Sequence, residues 1–278
     1  MENFQTKTLS VTRDGNDIYA LVYLPASATA ATRCPAVIFS HGMLGSHESA
    51  LPYARELVKR GYAVCCFDFS GGVDSRSAGD ALDMTLFSEQ ADLEAVYAAL
   101  AKQPYIDAND IFLMGASMGG AVSALAAASL GGVIKGLLLL YPAFNLPDEV
   151  ARRVADPFHI PDTAQFQTTV GRGFLETLYG FDIYKAAATY PGPVLIVHGT
   201  ADSTVDATYS IRATKYYRHA TLELIADAGH GFEGGSFKYA VRKIVDFLDE
   251  ECDLADESGL DGDLNLPSGM GAFGGMGL

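Results

Sequence analysis

Apolar residues in this chain gather in short continuous runs, most of them closed by a glycine-containing turn and followed by a stretch of helical periodicity. Residues 36–39, 62–68, 111–114, 136–141, 194–198 and 221–225 are such runs. Continuous apolar runs of this length predict strands buried on both faces. Residues 50–60, 85–102, 119–130 and 236–251 carry helical patterns, the last through Val241, Ile244, Val245 and Leu248. Residues 1–12 are polar and strand-like, and residues 19–24 alternate weakly before Pro25, which suits an early antiparallel strand. Strands alternating with helices predict an α/β fold, a mostly parallel sheet with helices on both faces and functional loops beyond the carboxyl ends of the strands.

Residues 143–188 break the rhythm, with scattered Pro, Phe and Gly. The segment is too long for an ordinary connection and too short for a second domain, which predicts an inserted lid. Its aromatic residues, Phe174 and Tyr179 among them, suit a mostly apolar pocket over the strand ends. Asp148, His159 and Gln165 are its polar candidates for orienting a substrate.

The 278 residues, 49% hydrophobic and 19% charged, suffice for one large domain, read here as residues 1–257. A net charge of −15 disfavours nucleic-acid binding, which needs a basic surface. Eight carboxylates crowd residues 249–263 without a single Lys or Arg, and a glycine-rich stretch ends the chain. Residues 258–278 therefore read as a flexible acidic tail, a solubility tail first and an interaction tail second. No apolar run is long enough for a bilayer and no secretory pattern opens the chain, so no membrane association is expected. Cys34, Cys65, Cys66 and Cys252 lack metal-ligand spacing, and adjacent Cys65 and Cys66 point to opposite faces of a strand. A reducing cytoplasmic compartment and no metal follow from that usage. Nothing in the pattern sets an oligomeric state.

The chemistry begins at Gly115-Ala116-Ser117-Met118-Gly119, directly after one predicted strand and opening a helix. This is G-x-S-x-G in the context that gives it meaning: a sharp strand-to-helix turn that exposes a serine. A serine hydroxyl needs a base and an orienting carboxylate to become a nucleophile. His230 follows the strand at 221–225, and Asp202 follows the strand at 194–198. The order Ser117, Asp202, His230 is that of α/β hydrolases, with Asp206 as the reserve acid and Asp227 a rival. The backbone N–H groups of Met118 and Met43 are the expected oxyanion-hole donors, leaving both Met side chains free to line an acyl pocket. His41 and His198 close strands in His-Gly pairs and read as braces for loop backbones; His47 and His219 read as solvated.

These motifs resemble the α/β-hydrolase superfamily, and within it the bacterial feruloyl/cinnamoyl esterase-type carboxylesterases. The carriers are His41-Gly42-Met43-Leu44-Gly45, Gly71-Gly72-Val73-Asp74-Ser75, the serine motif with Gly120, His198-Gly199-Thr200-Ala201-Asp202, and Ala228-Gly229-His230 with Phe232. The resemblance spans residues 37–248. It implies a serine esterase acting on small to medium acyl or aryl esters, hydroxycinnamoyl esters among them, through an acyl-enzyme and without cofactor. A peptidase or thioesterase on the same residues, or a non-catalytic binding protein on this fold, are the other readings. The chain departs from the family's usual pattern at Met43, where an aromatic residue is common, and at Ala116, where His is. Asp148 falls near a polar lid position, and Phe174-Leu175 stands where a lid Tyr is found.

Overall fold

A computed structural model describes residues 4–73 and 75–252. The tail read at 258–278, most of the acidic run before it, and Asp74 lie outside the described residues. In chain order the elements are β1 (Phe4–Arg13), β2 (Asn16–Pro25), β3 (Cys34–Ser40), α1 (Leu51–Lys59), β4 (Ala63–Phe67), α2 (Leu86–Leu100), β5 (Ile106–Ala116), α3 (Met118–Leu130) and β6 (Gly136–Leu140). Then follow α4 (Leu146–Arg153), β7 (Thr163–Gln165), β8 (Thr169–Gly171), α5 (Arg172–Leu178), α6 (Ile183–Ala187), β9 (Val194–Gly199), α7 (Thr208–Ala213), β10 (Ala220–Ile225) and α8 (Gly234–Glu251).

Eight strands form one sheet in the order β1-β2-β4-β3-β5-β6-β9-β10. The pairs β1–β2 and β2–β4 are antiparallel and every later pair is parallel. This is the mostly parallel sheet that the alternation of strands and helices predicts, in the α/β-hydrolase arrangement that the resemblance implies. Strand side chains alternate between two buried layers. Ile38, Cys65, Leu113 and Leu139 face the layer under α2 and α3, while Phe39, Cys66, Met114 and Leu140 face α1 and α8. Cys65 and Cys66 thus part to opposite faces as expected, both as free buried thiols. Burial pushes the Cys65 thiol up to about 12. Among the described residues no helix is long and apolar enough to cross a membrane.

Chain direction across the sheet reverses at β3: the next strand, β4, pairs on one side and β5 on the other. At such a switch point the loops after neighbouring strands diverge and leave a crevice. The loop after β3 and the serine turn after β5 meet there. Residues 143–188 sit beyond the end of β6 as α4, the β7–β8 hairpin, α5 and α6. Elements of three to eight residues are too short to display a period, which is why the sequence shows none. The segment is also rooted in the body: Phe144, Val150, Val170, Phe174, Leu175 and Leu178 are buried in the same layer as α2 and α3.

Candidate active site

Ser117 adopts φ 55°, ψ −121°, outside the regions open to most residues. Flanking glycines make that turn possible. A Cβ on Gly115 would stand 2.1 Å from the Gly119 carbonyl oxygen. The turn is tied on both sides, since Ser117 N–H donates to Leu140 C=O at 2.9 Å and Ala143 N–H donates to Ser117 C=O at 2.9 Å.

His230 reaches Ser117 from the loop after β10. Its Nδ1 lies 2.8 Å from Asp202 Oδ2 and its Nε2 lies 3.0 Å from Ser117 Oγ. A carboxylate only accepts, so Nδ1–H donates to Asp202 and Nε2 is left to accept from the serine hydroxyl. The Tyr141 ring meets the imidazole edge-on, centroids 4.7 Å apart. The loops carrying Asp202 and His230 are zipped together: Ala201 N–H donates to Ala228 C=O at 2.9 Å, and Asp227 N–H donates to Thr200 Oγ1 at 3.0 Å.

Asp202 is buried, its Oδ1 accepting from the N–H groups of Thr204 at 2.8 Å and Val205 at 2.9 Å. Burial alone would raise its carboxyl. Hydrogen bonds from His198, His230 and the two backbone amides outweigh burial and hold it well below the usual carboxylate range. Asp206 is exposed and caps the Thr208 N–H instead, and Asp227 is exposed in a turn at φ 57°.

His41 braces the loop after β3 as predicted. Its Nε2 accepts from Phe69 N–H at 3.2 Å, so Nδ1–H donates to Gly42 C=O at 2.8 Å. Gly45 N–H donates to the same carbonyl at 2.9 Å. The C=O and N–H of one trans peptide point in opposite directions, so pinning the Gly42 carbonyl turns the Met43 N–H the other way. Met118 opens α3, where its N–H has no carbonyl four residues back to bond. Met43 and Met118 both line the cleft in front of Ser117.

That cleft holds about 320 Å³. Ala143, Leu146 and Val205 contribute apolar surface to its lining. The inserted segment adds Asn145, Glu149, Arg153, Phe166 and Gln167. Glu149 pairs with both Arg152 and Arg153, and Arg153 lies 4.4 Å over the Phe166 ring. Partial burial would raise Glu149, but hydrogen bonds from the two guanidinium groups prevail and lower it.

The five polar and aromatic residues read from the sequence as substrate contacts all fall outside this cleft. Asp148 accepts from the Tyr209 hydroxyl at 2.9 Å and faces a separate hollow with Tyr184 and Arg212. His159 is exposed and pairs with Asp156 at 2.5 Å. Gln165 is exposed on the β7–β8 hairpin, bonded to Thr169. Phe174 is fully buried, its ring edge on Phe166, and Tyr179 is exposed beyond α5. One step along a helix turns a side chain by about 100°, which carries Glu149 into the cleft and Asp148 out of it. Leu146 and Val150, buried four residues apart, mark the inner face of α4 and were the signal for that choice.

His47 also differs from its reading as solvated. It is buried, its N–H and Nδ1–H donating to Asp68 Oδ1 at 2.6 and 2.8 Å. Asp68 Oδ2 accepts from Arg76 N–H at 3.0 Å, so one carboxylate joins two loops. His198 does brace the Val205 carbonyl, but it reaches Asp202 as well. His219 is exposed as read.

A family model described as serine aminopeptidase, S33 matches residues 31–172. Est1E from Butyrivibrio proteoclasticus, solved with ferulic acid bound, superposes with a TM-score of 0.80 at 26% identity, covering 88% of this chain and 99% of that one. The α/β hydrolase GrgF from a Penicillium species superposes at 0.73 with 16% identity, over 89% of this chain and 98% of that one. Acetyl xylan esterase 1 from Thermoanaerobacterium superposes at 0.65 with 20% identity, over 90% and 84%. The latter two likenesses carry the fold alone. No curated protein matches the sequence.

Proposed function

The chain belongs to the serine aminopeptidase S33 family of α/β hydrolases, and on that premise we propose that it is a serine carboxylesterase for small to medium acyl or aryl esters. The observation that carries this reading is the unbroken run of hydrogen bonds from Ser117 through His230 to Asp202, at 3.0 and 2.8 Å, beside a largely apolar cleft. Ser117 Oγ attacks the ester carbonyl as His230 Nε2 takes its proton, and Asp202 holds the imidazole in the required tautomer. The N–H groups of Met43 and Met118 receive the negative charge on the carbonyl oxygen. His230 returns the proton to the departing alcohol, then activates water to release the acid. The steps use only this chain's residues.

The family's description raises a second reading, cleavage of peptides at a free amino terminus. Binding an ammonium group calls for an unpaired carboxylate near the serine. Among the described residues lining the cleft the only carboxylate is Glu149, already claimed by Arg152 and Arg153. Ester hydrolysis makes no such demand. Est1E, the relative with ferulic acid bound, supports an acyl group of aryl type.

The test combines a fluorophosphonate probe with p-nitrophenyl and hydroxycinnamate esters, an aryl thioester and an aminoacyl p-nitroanilide. We expect labelling and ester turnover in the parent protein, both lost in Ser117→Ala with a kcat decrease on the order of 10⁴–10⁶. An S117A protein that kept a tenth of the activity would sink the mechanism. Preferential turnover of the anilide or the thioester would move the substrate class.

A further inference from the structure

Asp202 does not serve His230 alone. Its Oδ2 also lies 3.3 Å from Nε2 of His198, a wholly buried side chain on β9. The neighbours of His198 fix where its proton sits. Nε2 is 2.9 Å from the Val205 carbonyl, which can only accept, so Nε2 carries a hydrogen. Nδ1 is 2.6 Å from Ser210 Oγ on α7 and in the neutral ring accepts that hydroxyl's hydrogen. The Nε2–H that bonds the Val205 carbonyl thus also lies beside the Asp202 carboxylate, 3.3 Å from Oδ2, and faces its negative charge. The carboxylate is flanked by a histidine–serine pair on each side: His230 with Ser117 in the cleft, His198 with Ser210 buried behind it.

We propose that His198 is a positioning residue that acts through Asp202 to set the pH at which His230 gives up its proton, with Ser210 fixing the tautomer that allows it. The proposal rests on the reading of Ser117, His230 and Asp202 as the reacting groups. Each donor on a carboxylate disperses its negative charge, and that charge is what favours the imidazolium form of His230. Withdrawing the His198 donor concentrates the charge toward His230 and raises its proton affinity. His198 also holds Oδ2 in place while Thr204 and Val205 hold Oδ1, so the carboxylate cannot turn away from the imidazole.

The other titratable groups facing this cluster come from three elements. Tyr141, after β6, lies against His230, and burial pushes its hydroxyl up to about 12, so it stays neutral. Tyr53 on α1 neighbours Tyr141, and burial, with Tyr141 adding to it, raises its hydroxyl in the same direction. Asp206, exposed before α7, acts electrostatically on both His198 and Asp202. Of the groups named here, His198 is the one besides His230 that places a donor side chain on Asp202.

The experiment compares three variants. His198→Asn keeps a polar group toward Ser210 and withdraws the one toward Asp202. His198→Gln keeps an N–H at the reach of Nε2, and Ser210→Ala leaves the ring without the partner that fixes its tautomer. Proton NMR titration of the His230 ring in a Ser117→Ala background reads the effect without turnover, and the acid limb of kcat/KM reads it with Ser117 restored. We expect H198N to shift the acid limb of kcat/KM and the His230 titration upward together and to lower kcat while KM holds. S210A should move both in the same direction by less, and H198Q should return them to parent values. An unmoved His230 in H198N and S210A, or H198Q behaving like H198N, overturns the proposal. If S117A itself retained ester turnover the functional reading would fail, while the titration would still judge His198.

Discussion

The Cα of Gly119 packs so close to the end of β3 that an added Cβ would stand 2.2 Å from the carbonyl oxygen of Ser40 and 2.3 Å from that of His41. Both opposing atoms are backbone, so neither can swing aside as a side chain would. The contact joins the first turn of α3, which follows Ser117, to the loop that bears Met43.

Gly119→Ala should therefore damage stability and activity together. Overpacking a close contact costs typically 1–3 kcal/mol, so we expect the urea midpoint to fall accordingly. Because the contact sets the distance between the Met43 and Met118 amides proposed to receive the oxyanion, kcat should fall even at temperatures where the variant stays folded. A stable variant with unaltered kcat would show that the two loops yield independently.

Replacing Asp202 by Asn should leave the protein folded and reduce kcat on the order of 10⁴ by favouring the wrong His230 tautomer. Asp206→Asn removes an exposed hydrogen bond to the Thr208 N–H and a solvent-screened charge near His198 and Asp202, and should stay within a few-fold of the parent. Rates of p-nitrophenyl acetate hydrolysis rank the two, and the reverse order would reassign the acid.

Phe166 and Phe174 touch edge to face with centroids 5.5 Å apart, yet only Phe166 lines the cleft. Phe174→Ala should cost about 3–5 kcal/mol of stability without altering the ratio of rates on aryl and acetyl esters. Phe166→Ala should shift that ratio by about tenfold, roughly 1.4 kcal/mol of differential transition-state binding. Equal selectivity changes in the two would mean that the lid core shapes the cleft from a distance.

Glu89 on α2 predicts how stability depends on pH. It is buried with neither carboxyl oxygen hydrogen-bonded, and burial, aided by nearby Asp92, raises its carboxyl well above the ordinary carboxylate range. The native state thus keeps a proton that the unfolded chain releases, so this residue makes stability fall as pH rises above the ordinary carboxylate range. The slope is at most about 1.4 kcal/mol per pH unit until the folded carboxyl itself ionises. Glu89→Gln should remain neutral and gain on the parent as pH rises from 5 to 8. Parallel urea midpoints across that range would count against a protonated Glu89.

The serine turn was legible because its requirements are local: a strand, two small residues and a helix within a few positions of Ser117. Asp202 and His230 could be placed because each directly follows an apolar run. What escaped depends on contacts across the fold. His47 looks solvated until Asp68, 21 residues away, is beside it. The cleft's polar wall turns on which face of α4 points inward, and Asp148 and Glu149 differ there by a single step. Phe174 reads as a pocket aromatic in a segment whose period is hidden by its short elements, and it proves to be core.

That core has a kinetic meaning. Val170, Phe174, Leu175 and Leu178 are fully buried beneath the segment that roofs the cleft, and exposing an apolar side chain of this size costs about 1.5–3 kcal/mol each. Lifting the roof as a unit would cost upward of about 6 kcal/mol, a state visited by roughly one molecule in twenty thousand or fewer. Substrates must then enter through a standing aperture. Its width, and not the frequency of an opening motion, sets which substrates are admitted, and turnover should be indifferent to solvent viscosity until diffusion itself becomes limiting.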